Sequence, residues 1–283
     1  MPEPGEPPHS PGMPDLSSNP MNFSALLLKA ANGLFSLIVG LALVVAGTYS
    51  VYALWDNEQI YAAADNVQAD MIRLKPKLEP AENEEEARAS FAELLAINKD
   101  VRAWVTVDNT NVDFPVLQGE DNLTYINTDI YGNFALAGSI LLDSRNAPDC
   151  SDAYSLLYGH HLANSGMFGD LDLIKDEKFF AENRTGALIL PDRAYSLEIY
   201  ACLLVSASEE AIFEPETVRG DMHILYDFCT ENAMFCRTET LEAARNDPAS
   251  QTLALSTCSS EFTDARTIVL ALMKPYQPDT TGG

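Results

Sequence analysis

Near the N-terminus the apolar positions stop alternating with charged ones altogether. From Ala30 to Trp55 there is no Asp, Glu, Lys or Arg. The 22 residues Leu34–Trp55 would, as a helix rising about 1.5 Å per residue, span roughly 33 Å, enough to cross a hydrocarbon core of about 30 Å. Tyr49, Tyr52 and Trp55 gather at one end, as an interfacial aromatic belt does. A buried core helix would keep a polar stripe over this length, so a single transmembrane helix over 30–55 is the expectation. The rival is a cleaved signal peptide, whose apolar region runs about 7–15 residues and ends at a small-residue cleavage site. Lys29 precedes the span, while Asp56, Glu58 and Asp65 follow it. By the positive-inside rule this orients the N-terminus to the cytoplasm and the rest of the chain outside.

After the span the pattern takes up a helical period. Ile60, Ala64, Val67, Met71 and Leu74 recur at three- and four-residue steps, predicting a helix over Asp56–Leu74 that Pro76 and Pro80 terminate. Glu82–Leu95 predicts a second helix, with Phe91, Leu94 and Leu95 apolar and acids in its first turn. The pattern then changes to short runs of β-branched and aromatic residues: AWVTV, VDFPVL, SILL, YSLLYG, ALIL, YSLEIYACLLVSA, TLALST and TIVLALM. Asp108-Asn109, Tyr131-Gly132-Asn133 and Pro191-Asp192 punctuate them. One longer helical stretch, about Asp221–Arg237, lies between strands. The expected organisation is a disordered cytoplasmic tail (1–29), a membrane span (30–55), N-terminal extracellular helices (56–97), one mainly β domain with a closed or sandwiched sheet (98–275) and a disordered C-terminal tail (276–283).

Charge narrows the class. The chain of 283 residues has 17 Lys+Arg and 42 Asp+Glu, a formal net charge of −25. That balance excludes nucleic-acid binding, which needs basic surface, and peripheral docking on anionic lipid. Residues 101–283 alone hold 28 acids and 11 bases, so the charge decorates the β domain. No CxxC pair exists and there are only four histidines, so neither a zinc site nor a cofactor is expected. The acidic pairs Asp170/Asp172 and Glu209/Glu210 raise the question of calcium, but read as solvated surface.

Five cysteines, Cys150, Cys202, Cys229, Cys236 and Cys258, leave at least one unpaired. Cys229 and Cys236 stand too far apart along a straight helix to bridge each other. Cys258 ends the run TLALSTC, and Arg266 opens TIVLALM after a polar loop. Adjacent strand ends would put a thiol and a guanidinium on one site, where the cation favours the thiolate and can donate to an oxyanion. His160 and His161 follow the strand YSLLYG directly, whereas His223 reads as a surface residue. Cysteine, histidine and arginine at three strand ends would make a nucleophile, an acid/base and an oxyanion stabiliser. A papain-like hydrolase would instead place its cysteine at a helix N-terminus, and a membrane-tethered binding module would use the β domain without chemistry.

At these residues the chain resembles a sortase, class B most closely, over roughly 85–275. The matching segments are NKDVRAWVTVDNTNVDFPVLQGEDNLTYIN (98–127), GSILLDSRN (138–146), YGHHLANSGMFGDL (158–171), and LSTC (255–258) with Arg266. Ala254 departs from the family's TLxTC pattern, and His161 stands where many relatives carry Asn. The resemblance implies a sortase-type closed β-barrel with N-terminal helices and one inserted helix. It implies catalysis by Cys258, His160 and Arg266, and a groove in which Asn122, Ile126, Ser256 and Thr257 contact substrate. Its implied partners are a secreted surface protein bearing a C-terminal sorting motif and a cell-wall peptide amine acceptor, in the membrane of a Gram-positive cell. A pilin-polymerising relative would use a lysine as the acceptor.

Overall fold

The computed structural model describes residues 23–78, 84–258 and 263–277. It divides into two compact units, 1–55 and 56–283. The polar tail expected over residues 1–22 lies outside the described residues.

Helix α1 (Phe23–Ile72) supplies the described part of the first unit. Its segment 30–55 is uncharged and exposed all round, with Phe35, Leu37, Leu43 and Val44 each about two-thirds exposed (68%, 69%, 68% and 65%). Among the described residues α1 alone is long and apolar enough to cross a membrane. Two expectations change here. Residues 23–29, assigned to the tail, are helical, because FSALLLK contains no helix breaker. The separate helices expected over 30–55 and 56–74 are one uninterrupted element. The acids after Trp55 end the membrane-compatible stretch, but Asp56-Asn57-Glu58 holds no Gly or Pro to end the helix.

In the second unit the predicted α1 face is the one used: Met71 is buried and Ala64, Val67 and Leu74 pack on the core. Helix α2 (Glu84–Ile97) buries Phe91 and Leu94 beside Trp104, while Leu95 stays exposed. The strands are β1 (Val101–Val107), β2 (Asp113–Leu117), β3 (Ile140–Leu142), β4 (Tyr154–Tyr158), β5 (Thr185–Ile189), β6 (Ala194–Ser206), β7 (Phe235–Cys236), β8 (Gln251–Cys258) and β9 (Ala265–Pro275). Their order, β5-β1-β2-β3-β4-β8-β9-β6, closes through a β5–β6 pairing into an eight-stranded barrel, with β7 added to β6. Tyr276, expected in the tail, extends the barrel edge with its N–H bonded to the Ala194 carbonyl; the rest of the expected tail, 278–283, lies outside the described residues.

Cover on both faces explains why β8 and β9 read as nearly continuous apolar runs. Leu253, Leu255, Val269 and Ala271 belong to the barrel core. The alternating positions Ala254, Ile268 and Leu270 belong to a second core with Tyr154, Tyr200 and Leu225. Both faces of these strands are therefore covered, which removes the polar alternation. Ala254 is fully buried in that second core, where a small apolar side chain fits.

The cover over the second core comes from an insertion between β6 and β8. It is not one helix but four: α4 (Glu210–Phe213), α5 (Pro215–Gly220), α6 (His223–Asn232) and α7 (Thr238–Asn246). The helix within the expected stretch, α6, ends at Asn232, so Cys236 sits on β7 instead of on the expected helix. A further short helix, α3 (Glu177–Glu182), follows a 3-10 turn at Gly169–Lys175.

Candidate functional site

The three sequence-picked chemical residues converge on neighbouring strands. β4 pairs with β8 in parallel, Tyr158 opposite Ser256, and β8 pairs with β9 antiparallel, Cys258 opposite Arg266. The β4–β8 ladder extends past Tyr158 through a bond from the Gly159 N–H to the Ser256 carbonyl. His160 and Cys258 each stand two positions beyond the Tyr158–Ser256 pair. Histidine, cysteine and arginine thus lie at one level on three adjacent chain segments, with cysteine in the middle.

Local structure holds His160 there. A Cβ on Gly159 would fall 2.5 Å from Ile140 Cδ1 and 2.7 Å from the Phe168 ring, so only glycine lets the chain turn out of the barrel at this point. The His160 carbonyl accepts from the Phe168 N–H, and its Nε2 lies 2.7 Å from the Ile126 carbonyl. The adjacent His161 turns elsewhere. Its Nε2 is 3.0 Å from Asp172, which also accepts from Thr267 and pairs with Lys175. Asp172, on the 3-10 turn, therefore ties the segment after β4 that carries His161 to β9. Asp170 and Asp172 are not the solvated pair expected: Asp170 is buried and accepts from the Asn111 N–H. Among the described residues no cluster of three or more His, Cys, Asp or Glu forms a metal-binding set.

A cleft of about 360 Å³ opens beside the strand ends, lined by His160, Arg266 and all four predicted groove residues, Asn122, Ile126, Ser256 and Thr257. Ile126 is exposed at 38%, whereas Ser256 and Thr257 are buried. The Thr257 hydroxyl has no hydrogen-bond partner among the described residues. Among the described residues no carboxylate pairs with Arg266, and its guanidinium donates to the Ala265 carbonyl. A second hollow of about 320 Å³ lies between the C-terminal part of α1 and the β2–β3 loop; its lining is mostly apolar and holds no nucleophile.

The sequence did not single out the residues that hold the cleft wall. Asp143 is fully buried and accepts from Arg145, Tyr158 and Asn122 at 2.9–3.0 Å. Burial works to raise its carboxyl, but the bonds from Arg145 and Tyr158 prevail and hold it below the usual carboxylate range. Arg145 reaches on to the Phe213 carbonyl and Glu214, fastening the helical insertion to the barrel. Phe213 in turn stacks on Tyr158, ring centroids 6.3 Å apart, and both rings line the cleft. Asn122 is held by Asp143 and by the Ser144 N–H, so it fixes the loop as well as lining the cleft. The segment GSILLDSRN contained the signal, but its partners lie about 70 residues away (145 to 214).

The other cysteines are free and mostly buried. Burial pushes the Cys150 and Cys202 thiols up to about 12, which disfavours the thiolate needed for nucleophilic attack.

No family model matches the chain. It is 34% identical over 116 residues to the Sortase B of Listeria monocytogenes, a stretch covering 41% of this chain and 47% of that relative's length. Among solved structures, a class B sortase of Streptococcus pyogenes involved in pilus biogenesis is 34% identical, with a TM-score of 0.60 over 65% of this chain and 97% of its own. The chain belongs to the class B sortases. A mutant form of Clostridium perfringens sortase B agrees, with 27% identity and a TM-score of 0.62 over 75% of this chain and 96% of its own. The mainly β barrel with its N-terminal helices is thus the class B sortase fold.

Proposed function

We propose that this class B sortase is a membrane-anchored cysteine transpeptidase that cuts a C-terminal sorting motif of a secreted protein and joins the new carboxyl end to a cell-wall amine. The observation carrying this reading is the register that aligns His160, Cys258 and Arg266 across β4, β8 and β9. The Cys258 thiolate attacks the scissile carbonyl carbon, a C–S bond forms, and the C–N bond breaks as His160 gives its proton to the leaving amine. The incoming amine then attacks the thioester, passes a proton to His160 and displaces the thiolate. Arg266, with no described carboxylate to neutralise it, donates to the oxyanion formed in both steps. Asn122, Ile126, Ser256 and Thr257 contribute to the groove for the motif.

The anchor in this reading is α1, with Lys29 on the cytoplasmic side and the barrel outside. Incubating the full chain with a panel of sorting-motif peptides and weighing it by intact mass spectrometry tests the mechanism. A thioacyl adduct on the wild type and none on Cys258→Ala is expected; peptide cleavage by Cys258→Ala at the wild-type rate would refute it. The Streptococcus pyogenes relative involved in pilus biogenesis supports a second reading, with a pilin lysine as acceptor. Product masses formed with a cell-wall peptide amine or with a pilin lysine separate the two.

A further inference from the structure

The β2–β3 loop folds back on itself beside the site. The carbonyls of Tyr125 and Asn127 accept from the N–H groups of Ser139 and Ala135, and the Thr128 carbonyl accepts from the Ser139 hydroxyl. The Ile126 carbonyl between them goes instead to His160 Nε2, at 2.7 Å. A carbonyl oxygen only accepts, so Nε2 must carry a proton for this contact to hold. Nε2 keeps that proton in both the neutral and the cationic ring, which leaves Nδ1 as the atom that gains and loses one.

Gly138 sets where that carbonyl sits. A Cβ at position 138 would lie 2.3 Å from the Ile126 oxygen, 2.8 Å from its carbon and 2.8 Å from the Tyr125 oxygen. Its φ is +58°, a backbone region that also favours glycine. We infer that Gly138 and the Ile126 carbonyl are positioning residues that fix His160 in the Nε2–H tautomer and make Nδ1 its acid/base atom. The inference deepens the proposed function and rests on His160 serving that reaction. It gives Ile126 a second duty, since its side chain lines the cleft while its backbone orients the histidine.

The test is nitrogen-15 NMR of the full chain in detergent micelles with labelled histidine, His160 being assigned by the signal lost in His160→Asn. The neutral wild-type ring is expected as the Nε2–H tautomer. The opposite tautomer, or an even mixture, in the wild-type protein would overturn the inference. Gly138→Ala is expected to mix the tautomers and to lower kcat on the best-cleaved sorting peptide on the order of a hundredfold, the cost of misplacing a catalytic group by about 1 Å. Gly132→Ala is the matched control: its φ is +82° but nothing lies within 4 Å of the added Cβ, so it strains the same loop without touching the carbonyl. Equal effects of the two substitutions on tautomer and kcat would overturn the inference. A wild type that cleaves no sorting peptide would refute the proposed reaction, while the tautomer measurement would still decide the positioning.

Discussion

Asp143 is the residue on which the cleft wall converges, and its chemistry gives a signed pH dependence. Its carboxyl is held below the ordinary range, so the stabilisation it supplies is fully present above the unfolded carboxylate value of about 3.9 and is lost as pH falls through the lower folded value. Asp143→Asn is expected to cost about 2 kcal/mol at neutral pH, the scale of hydrogen bonds to charged groups. It should also flatten the acid limb of a stability-against-pH curve measured by urea unfolding; an acid limb as steep as the wild type's would refute the assignment. Thr257 makes the contrasting case. Its hydroxyl is buried and has no partner among the described residues, so Thr257→Val should leave the melting temperature unchanged or raise it. If the hydroxyl meets substrate, the same variant lowers kcat/KM while stability does not fall.

The elements were legible wherever the pattern ran long enough to carry a period. All eight barrel strands coincide with runs read from β-branched and aromatic residues, and Phe91 and Leu94 bury the face of α2 that the spacing indicated. Leu94→Ala, at a fully buried site beside Trp104, should therefore cost about 2–5 kcal/mol in denaturant unfolding. The insertion was less legible because α4 and α5 span only 4 and 6 residues, too few turns for periodicity to register, and α7 buries only Thr240, Leu241 and Ala244 in a largely polar run. Where Trp55 meets Asp56, a change in solvent preference resembled an element boundary although the backbone continued as helix. In the proposed site, Cys258, His160 and Arg266 were candidates from their strand ends, and the register brings those ends side by side. The link from Asp143 through Arg145 to Phe213 could not be picked out, because it exists only once the insertion folds against the β3–β4 turn.

Across the whole molecule the acid excess is a field. The segment 101–283 carries 28 acids against 11 bases, and a cationic amine approaching the cleft moves down the resulting potential. Transfer to a cationic amine should slow as ionic strength rises from about 0.01 M to about 0.15 M, over which the screening length shrinks from about 30 Å to about 8 Å. Transfer to a neutral hydroxylamine should not change. Equal salt dependence for the two acceptors would leave the charge a matter of solubility. The strand order has a consequence in time. β8 lies between β4 and β9, and its pairing with β4 joins positions 98 apart, 158 to 256. Non-local pairings of this kind form late and slowly. A chain still emerging from the ribosome presents its histidine long before the strand that brings a nucleophile beside it. On the proposed mechanism the barrel is its own safety catch: an unfinished chain would lack the nucleophile and would not cut the polypeptides around it.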